Sequence, residues 1–141
     1  MAVRVRIEIE TLKGKKAETV ALVNTGYESE DVEITIPIRF AEKLNLWPEL
    51  PEGSRIEEYG SVAGIVKLYW IPNCAQVKIL TGEKVTKPII CHVAISEFER
   101  EVLLSDKIAG AFRIVIEDIK TGDWRLQKEK KIRKSEKPQR W

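Results

Sequence analysis

A chain of 141 residues and 16.2 kDa is the size of one domain. It buries roughly two thirds of its unfolded surface on folding, so it needs no disulfide or metal staple. With 43% hydrophobic and 33% charged residues, and no apolar run near the roughly 20 residues of a membrane-spanning helix, the composition excludes disordered, collagen-like and helical membrane classes. The formal net charge is only +2, but it conceals a basic C-terminal end on a mildly acidic body.

Val3, Val5, Ile7 and Ile9 alternate with Arg4, Arg6, Glu8 and Glu10, the period of a half-buried strand. This opening is unlike a signal or transit peptide, and a cytoplasmic protein is expected. Lys13-Gly14-Lys15-Lys16 supplies a turn, and residues 18–23 read as a second strand that Asn24-Thr25-Gly26 breaks. Val32, Ile34 and Ile36 alternate in a third strand ending at Pro37. Phe40, Ala41, Leu44 and Trp47 recur at helical spacing and predict a short helix that stops before Pro48. Residues 55–59 and 65–71 predict a hairpin about Gly60-Ser61-Val62-Ala63-Gly64, whose two glycines suit a tip that moves.

Residues 76–80 and 87–95 form a further pair about Thr81-Gly82-Glu83. Val102-Leu103-Leu104 is a short buried run. Ser105-Asp106 then offers an N-cap to a helix with Ile108, Ala109 and Phe112 on one face. Residues 113–117 and 124–127 flank the turn Lys120-Thr121-Gly122-Asp123. About nine strands and two short helices predict a mainly β fold, a closed barrel or sandwich, over residues 1–127. Residues 128–141 carry Lys128, Lys130, Lys131, Arg133, Lys134, Lys137 and Arg140 against Glu129 and Glu136, with only Ile132 and Trp141 apolar. That composition predicts a disordered basic tail. The sharper reading of its charge is an electrostatic arm for nucleic acid or an acidic partner.

Cys74 and Cys91 have no second cysteine at zinc-finger spacing, and His92 is the one histidine. No metal and no cofactor is expected, and both thiols read as buried small hydrophobes. The acidic run Glu28, Glu30, Asp31 and Glu33 lacks the glycine and ligand spacing of a calcium loop and reads as a solvated face. Scarce Asn and Gln beside abundant Lys and Glu follow the pattern of hyperthermophile proteins.

The segment Ala21-Leu22-Val23-Asn24-Thr25-Gly26-Tyr27 resembles the active-site loop of retropepsin-like aspartic proteases, in which an apolar strand runs into Asp-Thr/Ser-Gly. The order of elements continues the resemblance. Ile34-Thr35-Ile36-Pro37 precedes a helix, and Leu44-Asn45-Leu46 stands in place of a Leu-Gly-Leu-like helix end. A glycine-flanked hairpin tip follows at 60–64. Val102-Leu103-Leu104-Ser105-Asp106 then takes the place of two apolar residues and a glycine before a helix. The resemblance spans residues 3–127. It implies a retropepsin-like barrel, similar to half of a pepsin, that builds one cleft from two chains. It implies a catalytic position at Asn24, Thr25 and Gly26. Tyr27 and a flap of Gly60, Ser61, Val62, Ala63 and Gly64 would contact substrate, and Leu103, Leu104 and Ser105 would support the loop.

Two positions depart from the family's pattern. Asn24 stands where the catalytic Asp belongs, and Ser105 where the glycine belongs. The family's paired carboxylates share a proton, one acting as general base on water and the other as general acid. A carboxamide supplies neither, though it still donates and accepts hydrogen bonds. The expectation is therefore a homodimer that binds an extended peptide without cleaving it. Asn24 is either native to a pseudoprotease, which the second departure at Ser105 favours, or a replacement for the Asp of an active endopeptidase. Two rival readings take Asn24-Thr25-Gly26 as a plain turn, or take the β domain as a dimeric core whose tail holds nucleic acid.

Overall fold

Alternation builds the first hairpin. In the computed structural model, which describes residues 2–62 and 64–141 with residues 59–61 by backbone alone, β1 (Arg4–Thr11) buries Val5, Ile7 and Ile9 completely. β2 (Lys16–Val23) returns antiparallel, with Arg4 opposite Leu22 and Glu10 opposite Lys16. Gly14 takes φ +85° in the turn between them, a conformation that side chains resist. The chain continues through β3 (Glu33–Pro37), α1 (Ile38–Lys43), β4 (Arg55–Ser61), β5 (Gly64–Ile79) and β6 (Ile89–Ser96). It ends with β7 (Val102–Leu104), α2 (Asp106–Ala111), β8 (Ile114–Asp118) and β9 (Asp123–Leu126).

Six strands close a barrel in the order β1-β2-β7-β3-β6-β5, with β5 returning to β1. The mainly β expectation, with its nine strands and two short helices, is met. Closure depends on β5. The sequence suggests two strands over 65–71 and 76–80, but one strand of 16 residues runs through both. Pro72 cannot donate to a ladder, and Asn73 takes φ +44°. The pairing with β6 shifts register between Ile71 and Ala75, so the strand bends there instead of ending. Its second half pairs with β1, from Ala75 opposite Thr11 to Ile79 opposite Ile7. Its first half leaves the barrel as a hairpin arm with β4.

The two helices bring large side chains into the core. Phe40, Leu44 and Ile108 are completely or almost completely buried, together with the barrel residues Ile7, Ile34, Ile36, Ile79 and Ile95. Each such side chain contributes about 1.5–3 kcal/mol through burial. Helix α1 is shorter than the spacing suggests and ends at Leu44, with Asn45 at φ +58°. Leu46 N–H reaches the Ala41 carbonyl at 2.9 Å and Asn45 N–H the Glu42 carbonyl at 3.1 Å. This is a Schellman cap in which Asn takes the left-handed position usually held by Gly. No helix among the described residues is long and apolar enough to cross a membrane.

The expectation of a disordered tail is corrected. Residues 133–141 form a strap over barrel edges that other strands leave open. Arg133 exchanges two backbone hydrogen bonds with Trp124, at 2.9 and 2.7 Å. Arg4 N–H donates to Ser135 Oγ at 2.8 Å, and the Arg4 carbonyl accepts from Glu136 N–H at 2.9 Å. Val20 N–H donates to Gln139 Oε1 at 3.2 Å. Trp141 anchors the end: its ring lies 4.9 Å from Phe40 and its Nε1–H donates to buried Thr19 at 2.9 Å. A composition argument weighs total apolar content and misses one well-placed indole together with backbone groups that require partners. Trp141→Ala should lower stability to chemical denaturation by about 2 kcal/mol, through lost burial and the lost hydrogen bond to Thr19. Trp141→Phe, which keeps a ring against Phe40, should cost about 1 kcal/mol. No loss in either variant would show that the strap is not docked in solution.

Candidate functional site

The Asn24 loop is set by two crossing segments. Ala21, Leu22 and Val23 run parallel to Val102, Leu103 and Leu104, and Asn24 N–H extends that ladder to the Leu104 carbonyl at 3.1 Å. β7 is in turn antiparallel to β3, so the loop emerges from the interior of the sheet. Asn24 Oδ1 accepts from Gly26 N–H at 3.1 Å, which closes an Asx turn, and the Asn24 carbonyl accepts from Tyr27 N–H at 3.0 Å, which closes a β-turn over the same residues. Gly26 is not sterically required, since an added Cβ would meet Asn24 Oδ1 at 3.4 Å.

The start of α2 holds the other side of the loop. Asp106 N–H donates to the Tyr27 carbonyl at 2.9 Å, and Asp106 Oδ1 accepts from Ser29 N–H at 3.2 Å. Ser105 is fully buried. Its Oγ caps α2 by accepting from Ile108 N–H at 3.4 Å. Its own N–H donates to the Glu33 carbonyl at 3.2 Å. Glycine here would leave the Ile108 N–H uncapped, which is a positive reason for Ser at this position.

Asn24, Gly26, Tyr27 and Leu103 meet on the lining of a cleft of about 880 Å³. Thr25 is exposed beside them, while Leu104 and Ser105 are buried. The hairpin arm contributes Arg55 and Glu57 from β4 and Val66, Leu68 and Trp70 from β5. It does so along its length. Gly60 and Ser61 pair with Ile65 and Gly64 near the tip, where Gly64 has φ +113°. Val62 is wholly exposed, and neither Val62 nor Gly64 is part of the lining. Ala63 lies outside the described residues.

Sequence reasoning missed the polar frame of the cleft. Glu33 accepts from Trp70 Nε1–H at 2.8 Å and from the Tyr27 hydroxyl, whose oxygen accepts from the Thr35 hydroxyl at 3.0 Å. The Arg55 guanidinium lies 4.0 Å from the Trp70 ring, and the His92 ring is 4.9 Å from it. His92 Nδ1 accepts from Asn73 N–H at 2.9 Å, which places the proton on Nε2, 3.3 Å from Asp31 Oδ2. The Val32 backbone N–H, and then His92, hold the Asp31 carboxyl below the usual carboxylate range. The signal for this frame is register. Glu33 and His92 are partners in the parallel β3–β6 ladder, and Val66, Leu68 and Trp70 share one face of β5 at period two.

Neither thiol is available as a nucleophile. Burial pushes Cys74 up to about 11, and Cys91 still higher. Among the described residues no three His, Cys, Asp or Glu side chains are grouped to hold a metal ion. No protein-family model matches the chain, and no curated protein matches it.

Tyr27→Phe removes the bonds to Glu33 and Thr35 and should cost about 1 kcal/mol in urea denaturation, with the far-ultraviolet spectrum of the barrel unchanged. The thiols set an alkaline limit. Unfolded cysteines ionise near 9.0 while the buried ones stay protonated. Stability is therefore full below that value and should fall as pH rises above it. Iodoacetamide labelling at pH 8 should in turn be slow in the native protein and rapid once it is unfolded.

Proposed function

We propose that this chain is a retropepsin-like pseudoprotease, a homodimer whose cleft takes an extended peptide and does not cleave it. The observation that carries this reading is the Asn24-Thr25-Gly26 loop, seated by β7 inside the sheet and open to the cleft alongside the β4–β5 arm. The order of strand, loop, helix, hairpin and second apolar run before a helix supports it. β4 is the edge strand of its sheet, and an edge strand offers main-chain hydrogen bonds to an extended peptide.

One chain supplies one such loop among the described residues, so a symmetric pair is needed to bring two together across a two-fold axis. The segment around Trp124 to Leu126 is engaged within the chain by β8 on one side and by Arg133 on the other. Among the described residues the edge left open in that two-stranded sheet belongs to β8, and we propose it as the edge that pairs between subunits.

An amide at position 24 has no basic lone pair for activating water near neutral pH and no acidic proton for the carbonyl oxygen. It retains the hydrogen-bonding capacity to hold a bound main chain. The protein as it stands should hydrolyse no peptide from about pH 3 to 8, and it should sediment as a dimer at micromolar concentration. Asn24→Asp should place two carboxyl groups at the dimer axis, one with its pKa raised by the other. Cleavage of unfolded protein substrates should then appear on the acid side. The raised carboxyl is fully accommodated below its unfolded pKa, and dimer stability should fall as pH rises through its folded value. A monomer at these concentrations, or cleavage by the Asn24 form itself, would sink the reading.

A further inference from the structure

We propose that the cleft selects a cationic peptide, one in which lysine or arginine alternates with apolar residues, and that Glu28, Glu30, Glu33 and Glu99 are the carboxylates that receive the cations. This inference rests on the peptide-cleft reading and gives it a substrate class.

The lining carries Glu28, Glu30, Asp31, Glu33, Glu57 and Glu99 against only Arg55 and His92. Both of those cation-forming groups are already engaged. Arg55 Nε donates to Glu57 Oε1 at 2.9 Å, with its guanidinium over Trp70, and His92 faces Asp31. Glu28, Glu30, Glu33 and Glu99 form no ion pair among the described residues. Glu33 is held in place by Tyr27 and Trp70, two neutral donors, so its charge is oriented without being neutralised. Burial, and then the charge of Glu101, raise the Glu99 carboxyl. A concave site lined by one sign of charge concentrates its field and draws in the opposite sign.

The same cleft has an apolar component. Val66 and Leu68 stand on the arm, Leu103 lies beside the Asn24 loop, and Phe98 is 58% exposed at the rim. An extended peptide points successive side chains to opposite faces. A sequence that alternates cations with apolar residues therefore offers both kinds of side chain to this mixed lining. The sign of the field also turns away polyanions such as nucleic acid.

The test uses the full-length protein and three fluorescein-labelled peptides of eight residues, read by fluorescence anisotropy. The first alternates Lys or Arg with Val or Leu, the second replaces every cation with Gln, and the third replaces every cation with Glu. The cationic peptide should bind about tenfold more tightly than the Gln peptide, the sum of a few solvent-screened charge pairs, and its advantage should shrink with added salt. The triple variant Glu28→Gln, Glu30→Gln, Glu99→Gln replaces carboxylates with amides of the same shape on surface residues, and an unchanged far-ultraviolet spectrum checks that it folds. It should lose most of that advantage over the Gln peptide. Equal binding of the cationic and Gln peptides would overturn the charge selection and leave the cleft reading intact. An advantage undiminished in the triple variant would place the cations elsewhere and overturn the assignment. Failure of all three peptides to bind would overturn the peptide cleft itself, and the selection with it.

Discussion

Strand β7 is three residues long, yet both of its edges are paired, parallel to β2 on one side and antiparallel to β3 on the other. Buried backbone N–H and C=O groups must find partners, and this short insertion satisfies two strands at once. Its consequences spread outward. The Leu104 carbonyl carries the ladder one residue further, to the Asn24 N–H from which the loop departs. The residue after it is Ser105, placed to cap α2 and to bond the Glu33 carbonyl. Because β7 reaches only Ala21 to Val23, among the described residues the edge of β2 before that point has no strand beside it, and Gln139 supplies the acceptor for Val20 N–H. The candidate site, the helix that supports it and the course of the C-terminal strap all follow from where this segment fits.

The strands were legible wherever one face of the sheet is wet. Arg4–Thr11 alternates in burial as it alternates in sequence, and the N-cap at Ser105 is visible from Ser-Asp before an apolar helical face. The sequence misleads where a local signal has two structural outcomes. Pro72-Asn73 marks a break, but a break in pairing is a bend within β5 when each half has a different partner. At the other end, residues 133–141 lack the apolar content to fold alone, and they need not fold alone. They add hydrogen bonds to edges already built and bury one indole against Phe40 and Thr19. In the site, the loop residues were legible because they are contiguous. Glu33, Trp70 and His92 come from three separate strands, and only the register between those strands brings them together.

Shape and chemistry separate at position 24. The loop needs a side-chain oxygen that accepts from Gly26 N–H, and an aspartate carries an oxygen at the same place. The turn geometry is therefore indifferent to Asn or Asp, whereas proton transfer is not: the amide neither gains nor releases a proton in the working range. A cleft of this form persists whether or not it hydrolyses anything. Ser105 fits the same view. It replaces the small residue that the resemblance implies with one that has a hydrogen-bonding task of its own, so the departure there stabilises the support of the loop.

Charge is distributed unequally between the two ends of the molecule, and the pairing pattern matters more than the count. The tail holds seven cations, yet Lys131 faces Glu83, Arg133 faces Glu129 and Lys134 faces Asp123. A basic segment gathers phosphates when its side chains are free to follow the backbone of the nucleic acid. Here the strap is fixed along the barrel and several of its cations already have carboxylate partners. The cleft is the reverse case: its two cation-forming groups are engaged, and among the described residues four of its carboxylates form no ion pair. Isolated exposed ion pairs contribute little, but unpaired charges of one sign facing a shared concavity act together on whatever enters it. The location of uncompensated charge thus points to the cleft, and to a positively charged guest, even though the basic residues most conspicuous in the sequence lie in the tail.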